Sequence, residues 1–518
     1  MKIISVAEMR RLEGEAMRRH ADGGVDGISG AEMMELAGTW AGARLIHWIN
    51  KWPDRHRLSI TVLAGKGNNG GDAWVTAAFL QTSCKIPVTL YSICKRDELK
   101  GDAAYHAMRL RNDIPIAEEV EELPPEALKA GTIIVDGLLG TGAKGSPRGA
   151  YKRIIRQVNE SGLPVLALDI PSGLDADTGE GPDAVRADVT VTMGFPKQGL
   201  FRKDGPAVCG RLEVVGIGLP QDLVDGAEAV GEAFGMEDAR LLVKPRRGDG
   251  YKGTYGHLLV LGGSGGYVGA PILSALGGVR GGAGLVTLCV PGGCLANPPL
   301  ASVIFRRLGM ASDDCFKSSM LKELYTLLYN KTSVAYGPGT GGDVEPEVLS
   351  CLLKTDIPLV IDADGLRLLA RHPELLPRRS GETVLTPHIG EMKSLMEGFG
   401  VEGMDDGDGV SQTKALARKT GCIVVLKGRF TVVAAPDGTA TLNVSGGPSL
   451  STAGSGDVLT GVIGALLAQG MATADAARLG VYVHGAAGDL WKGAKRAMSA
   501  DDLADLLSKA WLEVSMIC

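Results

Sequence analysis

Short apolar segments alternate with helical segments along the chain, and this alternation restricts the fold more than any other feature. In the first half the apolar runs mostly end at glycine, proline or a polar turn; they cover residues 58–64, 87–93, 132–135, 165–170 and 187–193. Helical patterns at 72–81 and 151–160 lie between them. Strands that alternate with helices form a parallel sheet covered by helices on both faces. We therefore predict an α/β fold with ligand sites at the carboxyl ends of the strands.

A second series of predicted strands follows, at residues 257–261, 284–290, 333–336, 358–361, 383–385, 423–426 and 431–434. Residues 219–249, between the two series, have an acidic, irregular middle and a charged end, which is typical of a connector. The 518 residues exceed one ordinary core, and no repeat of about 20–50 residues suggests a solenoid. We predict two unrelated α/β domains, at residues 1–217 and 241–518, joined by a connector at 218–240.

Composition excludes several classes of protein. The net charge of −6 gives no basic surface for nucleic acid. The most apolar stretch, residues 461–480, is interrupted by polar side chains and is predicted to be a buried helix rather than a membrane span. Residues 1–11 lack the apolar core of a signal peptide, and the nine cysteines are scattered without a CxxC pair. We expect a cytoplasmic protein with reduced thiols and no membrane partner.

A glycine-rich turn, GKGNNGGD at residues 65–72, follows the first long strand and precedes a predicted helix. Such a turn lets backbone N–H groups and the positive helix end face an anion. The segment satisfies GxGxxG, so a dinucleotide site is the first hypothesis, but the acid expected about 20 residues later is missing. It is not a Walker A loop, because no GK[ST] follows. A tight turn without a ligand is the simpler alternative, and the two asparagines with Asp72 argue against it.

Oxygen-bearing side chains follow three of the predicted strands in the first domain. In a parallel sheet these turns open on one edge, which would bring Asn69, Asp136, Asp169 and Ser172 together. A single aspartate at a strand end is more often a helix cap. Several such oxygens on one edge favour an alkali or alkaline-earth cation over zinc.

In the second domain, the strongest signal is TAGSGD at residues 452–457, which opens a predicted helix at 458–469. Successive N–H groups at a helix start can bind a phosphate, while Asp457 is placed to remove a proton from a hydroxyl. A carboxylate beside an anion site is what phosphoryl transfer to an alcohol requires. The alternative is that Asp457 caps a buried helix, and the two roles are compatible.

Two other turns of the second domain are candidates for ligand contacts. Residues 427–431, KGRFT, lie between two strands and can hold nucleotide phosphates or ribose. His388 follows a strand and lies near Glu391, whereas a histidine without such a setting is usually structural. We therefore predict that the other candidates are structural or surface histidines, namely His257, His372 and His484.

The first domain resembles the NAD(P)H-hydrate epimerase family over residues 1–217. The motifs that carry the resemblance are NNGGD at 68–72, VDGLLGTG at 135–142, LDIPSGLDADTG at 168–179 and ADVTVTMGFPK at 187–197. It implies a Rossmann-like fold, a potassium ion on Asn69, Asp136 and Ser172, and Asp169 at the reacting centre. The implied substrate contacts are Asn68, Asn69, Gly70, Gly71, Asp72, Gly140, Thr141, Gly142, Ala143, Lys144, Gly145, Ser146 and Asp169.

The second domain is similar to the ADP/ATP-dependent NAD(P)H-hydrate dehydratases over residues 241–512, most strongly at GSGDVLTGVIGALLAQG, residues 454–470. The resemblance implies a ribokinase-like fold, Asp457 as the base, and Mg²⁺ with ADP or ATP. The implied substrate contacts are Ala270, Gly339, His388 and Asp457. The implied nucleotide contacts are Lys427, Gly428, Arg429, Phe430, Thr431 and Gly456.

The two resemblances together imply a metabolite-repair enzyme with two active sites. One would interconvert the R and S hydrates of NADH and NADPH, and the other would use ADP or ATP to dehydrate the S form and release phosphate. The expected partners are these small molecules, with a homo-oligomeric state. The alternative is a ribokinase-like small-molecule kinase with a non-catalytic nucleotide-binding N-terminal domain.

Overall fold

A computed structural model describes residues 1–24, 26–50, 52, 55–110, 114–294, 300–378, 382–402, 408–491 and 498–516. The chain forms two compact units, Met1–Glu232 and Ala233–Cys518. Their boundary falls inside the predicted connector, residues 218–240, which holds regular structure rather than an irregular loop. The domain limits 1–217 and 241–518 remain a prediction, and each unit is described separately below.

A parallel sheet forms the centre of the first unit, with its strands in the order β4-β3-β2-β5-β6-β7-β8. These strands are β2 (Ser59–Ala64), β3 (Val88–Ser92), β4 (Ile116–Ala117), β5 (Thr132–Gly137), β6 (Val165–Leu168), β7 (Val189–Met193) and β8 (Arg211–Val215). A short β1 (Lys2–Ile3) pairs antiparallel with β9 (Gly231–Phe234) through Lys2–Glu232 and Ile3–Gly231. The helices are α1 (Val6–Ala21), α2 (Gly30–Ile49), α3 (Asn68–Ser83), α4 (Gly101–Arg109), α5 (Gly149–Ser161), α6 (Gly205–Val208) and α7 (Gln221–Asp225).

All five predicted strands of this unit are present. A strand that is buried along its whole length needs an uninterrupted apolar sequence, and such sequences are easy to recognise. Every residue of β5, β6 and β7 is buried, as expected for inner strands of a parallel sheet with both faces covered. The edge strands β4 and β8 were not predicted, since β4 has only two residues and three of the five residues of β8 are only half-buried. The predicted start of the helix at residue 72 is wrong: α3 begins at Asn68, after Gly67 in an extended conformation.

The second unit has a larger, mixed sheet, ordered β18-β17-β16-β15-β14-β13-β10-β11-β12. Neighbouring strands from β16 to β12 in this order pair in parallel. β17 pairs antiparallel with both β16 and β18. They are β10 (His257–Leu261), β11 (Leu285–Pro291), β12 (Ile304–Leu308), β13 (Ser333–Tyr336), β14 (Leu359–Ile361), β15 (Thr383–Leu385), β16 (Ile423–Leu426), β17 (Val432–Ala434) and β18 (Ala440–Asn443). The sequence predicted all of these except β12 and β18.

Ten helices are found among the described residues of this unit. They are α8 (Met236–Leu242), α9 (Gly269–Arg280), α10 (Leu321–Leu328), α11 (Pro346–Leu353), α12 (Asp364–Arg371), α13 (Ile389–Phe399), α14 (Gly409–Thr420), α15 (Ser455–Ala468), α16 (Thr473–Asp489) and α17 (Ala500–Ser515). The apolar stretch 461–480, predicted as one buried helix, is split between α15 and α16. Within the part of the chain that the structure describes, no helix meets the length and hydropathy of a membrane span.

Helix α15 packs directly on α9, and glycines make the close approach possible. A Cβ atom at Gly461 would overlap the carbonyl oxygen of Ser274, and one at Gly277 would overlap that of Val458. These obstacles are backbone atoms, which cannot move aside as a flexible side chain can. The position of α15 relative to the sheet therefore depends on residues without side chains.

We expect Gly461→Ala to destabilise the protein by about 1–3 kcal/mol, because the added methyl group must separate α15 from α9. Chemical unfolding followed by circular dichroism measures the change. Gly269→Ala, at the start of α9 and with no atom within 4 Å of the added Cβ, is the matched control and should leave the unfolding free energy nearly unchanged. Equal stability of the two variants would contradict this packing.

Candidate active sites

The glycine-rich turn of the first unit forms the first turn of α3. Gly67 is the N-cap and makes no side-chain cap hydrogen bond. A Cβ at Gly70 would overlap the Gly65 carbonyl oxygen, and one at Gly71 would lie 2.5 Å from the Met34 sulfur. Glycine is thus required where the helix start approaches the end of β2. The open N–H groups at the start of this 16-residue helix are available to an anion.

Of the four residues predicted to meet at the carboxyl edge of the sheet, three share one set of hydrogen bonds: Asn69, Asp136 and Ser172. Asp136 is fully buried at the end of β5, and its two carboxylate oxygens accept hydrogen bonds from the Ser172 hydroxyl at 2.6 Å and the Ser172 N–H at 2.9 Å. Asn69 donates through Nδ2 to the Leu139 carbonyl oxygen at 2.9 Å, and the Leu139 N–H donates to Ser172 Oγ at 2.8 Å. Three strand-end turns therefore share one oxygen-rich cluster.

This cluster has the properties of a monovalent cation site. The Oδ1 atom of Asn69 is buried and accepts no hydrogen bond from any residue that the structure describes. Among the described residues no cationic side chain pairs with Asp136, and burial raises the pKa of this carboxyl to about 6 against the opposing effect of the Ser172 hydrogen bonds. One carboxylate with neutral amide, hydroxyl and carbonyl oxygens suits a singly charged hard cation. Over the described ranges no group of three or more His, Cys, Asp or Glu could hold a metal.

Asp169 follows β6 in a left-handed conformation, with a φ of 63° that non-glycine residues seldom adopt. Its Oδ1 atom accepts from the Met193 N–H at 3.1 Å, from the Thr192 hydroxyl at 3.2 Å and from the ammonium of Lys197. Lys197 is only 1% exposed, and the carboxyl of Asp169 is 14% exposed. A strained backbone that directs a partly accessible carboxylate is a feature of functional sites.

The predicted substrate loop, residues 140–146, runs away from this cluster. Gly140 lies against Asn69, since a Cβ there would be 3.0 Å from the Asn69 Cβ. Lys144 is exposed and pairs with Asp175 at 3.4 Å. Gly145 and Ser146 line a cavity of about 420 Å³ whose other lining residues are Pro147, Gly173, Asp175, Glu180, Gly181, Pro182, Asp183 and Asp204. Only the first part of the loop therefore adjoins the oxygen cluster.

In the second unit, Asp457 lies in the first turn of α15 and does not cap it. The N-cap is Gly454, with a φ of 88° and no side-chain cap hydrogen bond, so the capping alternative for Asp457 is wrong. Ser274 donates through its hydroxyl to the Asp457 carbonyl oxygen at 2.7 Å, which holds the turn in place. The carboxyl of Asp457 is therefore available for chemistry beside uncapped N–H groups.

A network of charges surrounds Asp457. Lys427 places its ammonium 2.8 Å from Asp362 and 3.9 Å from Glu391, and Thr460 donates to the other oxygen of Asp362 at 2.6 Å. Burial, followed by repulsion from Asp362, raises the pKa of Asp457 to about 7, although Lys427 opposes the shift. A carboxyl with a pKa near neutrality is well matched to general base catalysis.

The remaining predicted residues of this unit lie in two groups. Gly339 has a φ of 68°, and a Cβ there would lie 3.4 Å from that of Ala270, so these two predicted substrate contacts are neighbours. His388 caps α13, since its Nδ1 accepts from the N–H groups of Gly390 at 3.0 Å and Glu391 at 3.3 Å. The backbones of His388 and Lys427 also form an isolated parallel β-bridge. This pairing joins the predicted substrate turn to the predicted nucleotide turn.

Residues 427–431 do not all lie at the site: Lys427 does, whereas Phe430 is buried in the protein interior. Lys427 lies near the start of α15, because a Cβ at Gly456 would be 3.3 Å from its Nζ. Arg429 donates to the Gly446 carbonyl at 2.8 Å and stacks on Phe430, which is buried. Gly428 and Thr431 hydrogen bond to each other. Lys427 and Gly456 are thus the predicted nucleotide contacts that the structure brings to Asp457.

Sequence reasoning missed several groups around the two centres. Asp362 was not singled out, and Lys197 appeared only as the last residue of the motif at 187–197. The sequence does not indicate that these two residues are buried, because charged side chains usually lie at the protein surface. His484 was predicted to be structural or exposed; it is buried and pairs through Nε2 with the Ser455 carbonyl oxygen at 2.9 Å, and burial lowers its pKa to about 4. It supports the first turn of α15 as a neutral side chain.

Each of the two α/β units contains parallel strands and a candidate site. The first unit has an oxygen cluster suited to a cation, and the second has a carboxylate beside an open helix start. This arrangement is typical of an enzyme with two sites. The family model described as NAD(P)H-hydrate dehydratase matches residues 258–509, and the model described as YjeF-related protein N-terminus matches residues 30–199.

Curated relatives match almost the whole chain. The bifunctional NAD(P)H-hydrate repair enzyme of Thermofilum pendens is 36% identical over 95% of this chain and 92% of its own. That of Moorella thermoacetica is 34% identical over 98% and 96%, and that of Escherichia coli is 35% identical over 97% and 92%. The chain belongs to the bifunctional NAD(P)H-hydrate repair enzyme family, which confirms the resemblance.

Solved structures match about half of the chain. The ADP/ATP-dependent NAD(P)H-hydrate dehydratase of Bacillus subtilis, co-crystallised with ATP and Mg²⁺, is 30% identical, covers 55% of this chain and 100% of its own, and has a TM-score of 0.48. A ribokinase-like superfamily protein of Enterococcus faecalis is 21% identical over 55% and 97%, with a TM-score of 0.48. The parallel strands of each unit confirm the predicted α/β class, with one parallel-sheet domain followed by a second α/β domain.

Proposed function

We propose that this chain repairs hydrated NADH and NADPH at two active sites. The first unit interconverts the R and S hydrates, and the second uses ADP or ATP to dehydrate the S hydrate to NAD(P)H with release of phosphate. The observation that carries the proposal is the position of Asp457, whose carboxyl, with a pKa near 7, lies in the uncapped first turn of α15 within reach of the charge of Lys427.

At the second site, Asp457 accepts the proton of the ring hydroxyl. At the same time the hydroxyl oxygen forms a bond to the phosphorus of the terminal phosphoryl group. The bond between that phosphorus and the nucleotide oxygen breaks in the same step. The N–H groups of Gly456 and Asp457 and the ammonium of Lys427 stabilise the charge on the phosphoryl oxygens. Phosphate then leaves the ring carbon, a proton leaves the neighbouring carbon, and the double bond of the reduced cofactor is restored.

The carboxylates near Asp457 fit a magnesium ion. Mg²⁺ in proteins is commonly bound by one or two carboxylates together with substrate phosphates. Glu391 lies 3.9 Å from the ammonium of Lys427, and both Glu391 and Asp364 add to the rise in the pKa of Asp457, so we propose that these two carboxylates hold the ion. Bound there, the ion would neutralise charge on the phosphates. Ala270, Gly339 and His388 would contact the hydrate, and residues 427–431 with Gly456 would contact the nucleotide.

At the first site, we propose that Asn69, Asp136 and Ser172 hold a potassium ion that orders the pocket, and that Asp169 exchanges protons with the substrate. The unpartnered Oδ1 atom of Asn69 and the unpaired buried charge of Asp136 support the cation site. Residues 68–72 and 140–146 would contact the substrate. We further propose a cytoplasmic location and a homo-oligomeric state, which cell fractionation and light scattering test.

Incubation of the purified chain with mixed R and S hydrates tests the function. With ADP or ATP we expect both hydrates to disappear, with near-ultraviolet absorbance of the reduced cofactor and inorganic phosphate appearing in equal amounts. Without nucleotide, only interconversion is expected. Accumulation of a phosphoester without recovery of the cofactor would instead identify a kinase, and repair of the S hydrate alone would identify a non-catalytic first unit.

We expect potassium to stabilise the folded protein through the oxygen cluster. A ligand at 100 times its dissociation constant adds about 2.7 kcal/mol to the unfolding free energy. Thermal unfolding in potassium chloride, compared with tetramethylammonium chloride at equal ionic strength, measures the gain. Asp136→Asn should abolish the difference between the two salts. Equal stabilisation of the variant and the parent protein by potassium would contradict the site.

A further inference from the structure

A cavity of about 640 Å³ lies in the second unit between the turn after β13, helix α12 and helix α13. Gly341 and Gly342 of the turn and Ser394 of α13 are among the residues that line it. The two helices are in direct contact at the cavity, since a Cβ atom at Gly398 would overlap the carbonyl oxygen of Ala370. No step of the reaction proposed above uses this space.

Two walls of the cavity begin at residues that we propose to contact the hydrate. Gly341 follows Gly339 by two residues in the turn after β13, and both have a left-handed backbone, with φ values of 78° and 68°. His388 is the N-cap of α13, and Ser394 of the same helix lines the cavity. A substrate whose ring is held by Gly339 and His388 can therefore extend from the ring into the cavity.

The cavity holds four charged side chains, two arginines and two carboxylates. Arg367 donates to Asp364 Oδ1 at 3.2 Å, and the other oxygen of Asp364 accepts from a backbone N–H of the turn at 3.0 Å. Glu397 is exposed to solvent, where its charge is screened. Arg371 donates to the Gly342 carbonyl oxygen at 3.4 Å and forms no ion pair with a carboxylate of the described residues. The charge of Arg371 is therefore available to a ligand.

The spacing of the arginines suits the phosphates of a dinucleotide. Arginine presents several N–H donors in a planar fork that matches a phosphate group. Arg367 and Arg371 are four residues apart and so lie on the same face of α12. Arg371 is about 10 Å along the helix axis from Asp364, the first residue of α12. The hydrated cofactor carries its phosphates away from the ring, and the proposed ring contacts do not account for them.

We propose that Arg371, together with Arg367, forms a phosphate-binding subsite that holds the dinucleotide tail of the S hydrate during dehydration. This inference rests on the proposed function and deepens it, because it names residues that recognise the substrate away from its reacting ring. The bound group is either the pyrophosphate, which both hydrates share, or the 2′-phosphate, which only the NADPH hydrate carries. In the second case the subsite makes the second unit prefer the NADPH hydrate.

The test compares Arg371→Gln with Lys393→Gln, a control that removes the same charge from an exposed position of α13 that does not line the cavity. We expect Arg371→Gln to raise KM for the S hydrate of NADPH about 10-fold, through the loss of a charged hydrogen bond, with kcat nearly unchanged. KM for ADP should stay at the parental value. An increase confined to the NADPH hydrate would assign the 2′-phosphate, and an equal increase with the NADH hydrate would assign the pyrophosphate.

The hydrate of reduced nicotinamide riboside, which has no phosphate, separates a phosphate contact from a change of shape. Its KM should be the same in Arg371→Gln and in the parent protein. Arg371→Lys keeps the charge but loses the planar fork, so its KM for the phosphate-bearing hydrates should lie between those of the parent and Arg371→Gln. Parental KM values for both phosphate-bearing hydrates in Arg371→Gln, or an equal rise with the riboside hydrate, would overturn the inference. A parent protein that dehydrates no S hydrate would instead refute the proposed function.

Discussion

Replacement of Asp457 by asparagine is expected to lower the rate of S-hydrate dehydration by about 10²- to 10⁴-fold, the usual contribution of a general base. Asparagine keeps the shape of the side chain but cannot accept the proton of the hydroxyl. Nucleotide binding should be largely retained, because the N–H groups of the first turn of α15 and the ammonium of Lys427 are unchanged. Release of phosphate from pure S hydrate and ADP measures the effect.

The control for this experiment is Asp475→Asn, an aspartate in the first turn of the neighbouring helix α16. It should dehydrate the S hydrate at the parental rate. Because the base must be ionised and the pKa of Asp457 is about 7, kcat/KM of the parent protein should rise with pH through about 7. Lys427→Met removes the charge that lowers this pKa and should move the rise to higher pH. A variant Asp457→Asn with parental turnover would refute the role of this residue.

Replacement of Asp169 by asparagine is expected to stop repair of the R hydrate while repair of the S hydrate continues. The variant loses the ion pair with Lys197 and the carboxylate in the left-handed turn that is proposed to exchange a proton. We expect R-to-S epimerisation to fall by about 10²- to 10⁴-fold. With excess ADP, conversion of a mixture should reach a plateau at its S fraction, measured by absorbance of the reduced cofactor.

Asp225→Asn, an exposed aspartate at the end of α7 in the same unit, is the matched control and should reach full conversion. The initial rate with pure S hydrate should be identical in parent, variant and control. Equal loss of R and S repair in Asp169→Asn would contradict the division of labour between the two units.

The sequence predicted the inner strands and the edge at which the first site forms, because both depend on local pattern. A buried parallel strand needs a continuous apolar run, and the turns after such strands meet at one edge. The sequence alone therefore indicates that Asp136 and Ser172 lie near Asn69. Asp457 could be predicted in the same way, since a glycine-rich helix start with one acid has few other uses.

Contacts between distant segments could not be predicted. Lys197 reaches Asp169 from a turn 28 residues further along the chain, and no spacing in the sequence encodes that contact. Asp362 became part of the second site through Lys427 and Thr460, which lie 65 and 98 residues away in the chain. The edge strands β8 and β12 lack the continuous burial that makes an inner strand recognisable.

A crystal structure of the second unit's site in the full chain, with a nonhydrolysable ATP analogue and an S-hydrate analogue bound, tests the central claim most directly. The quantity to measure is the distance from the Asp457 carboxylate to the ring hydroxyl oxygen. We expect a hydrogen bond of about 2.5–3.0 Å, with the terminal phosphate at the start of α15. A carboxylate turned away from that hydroxyl, or a terminal phosphate bound elsewhere, would contradict the proposed role of Asp457 and with it the dehydratase mechanism.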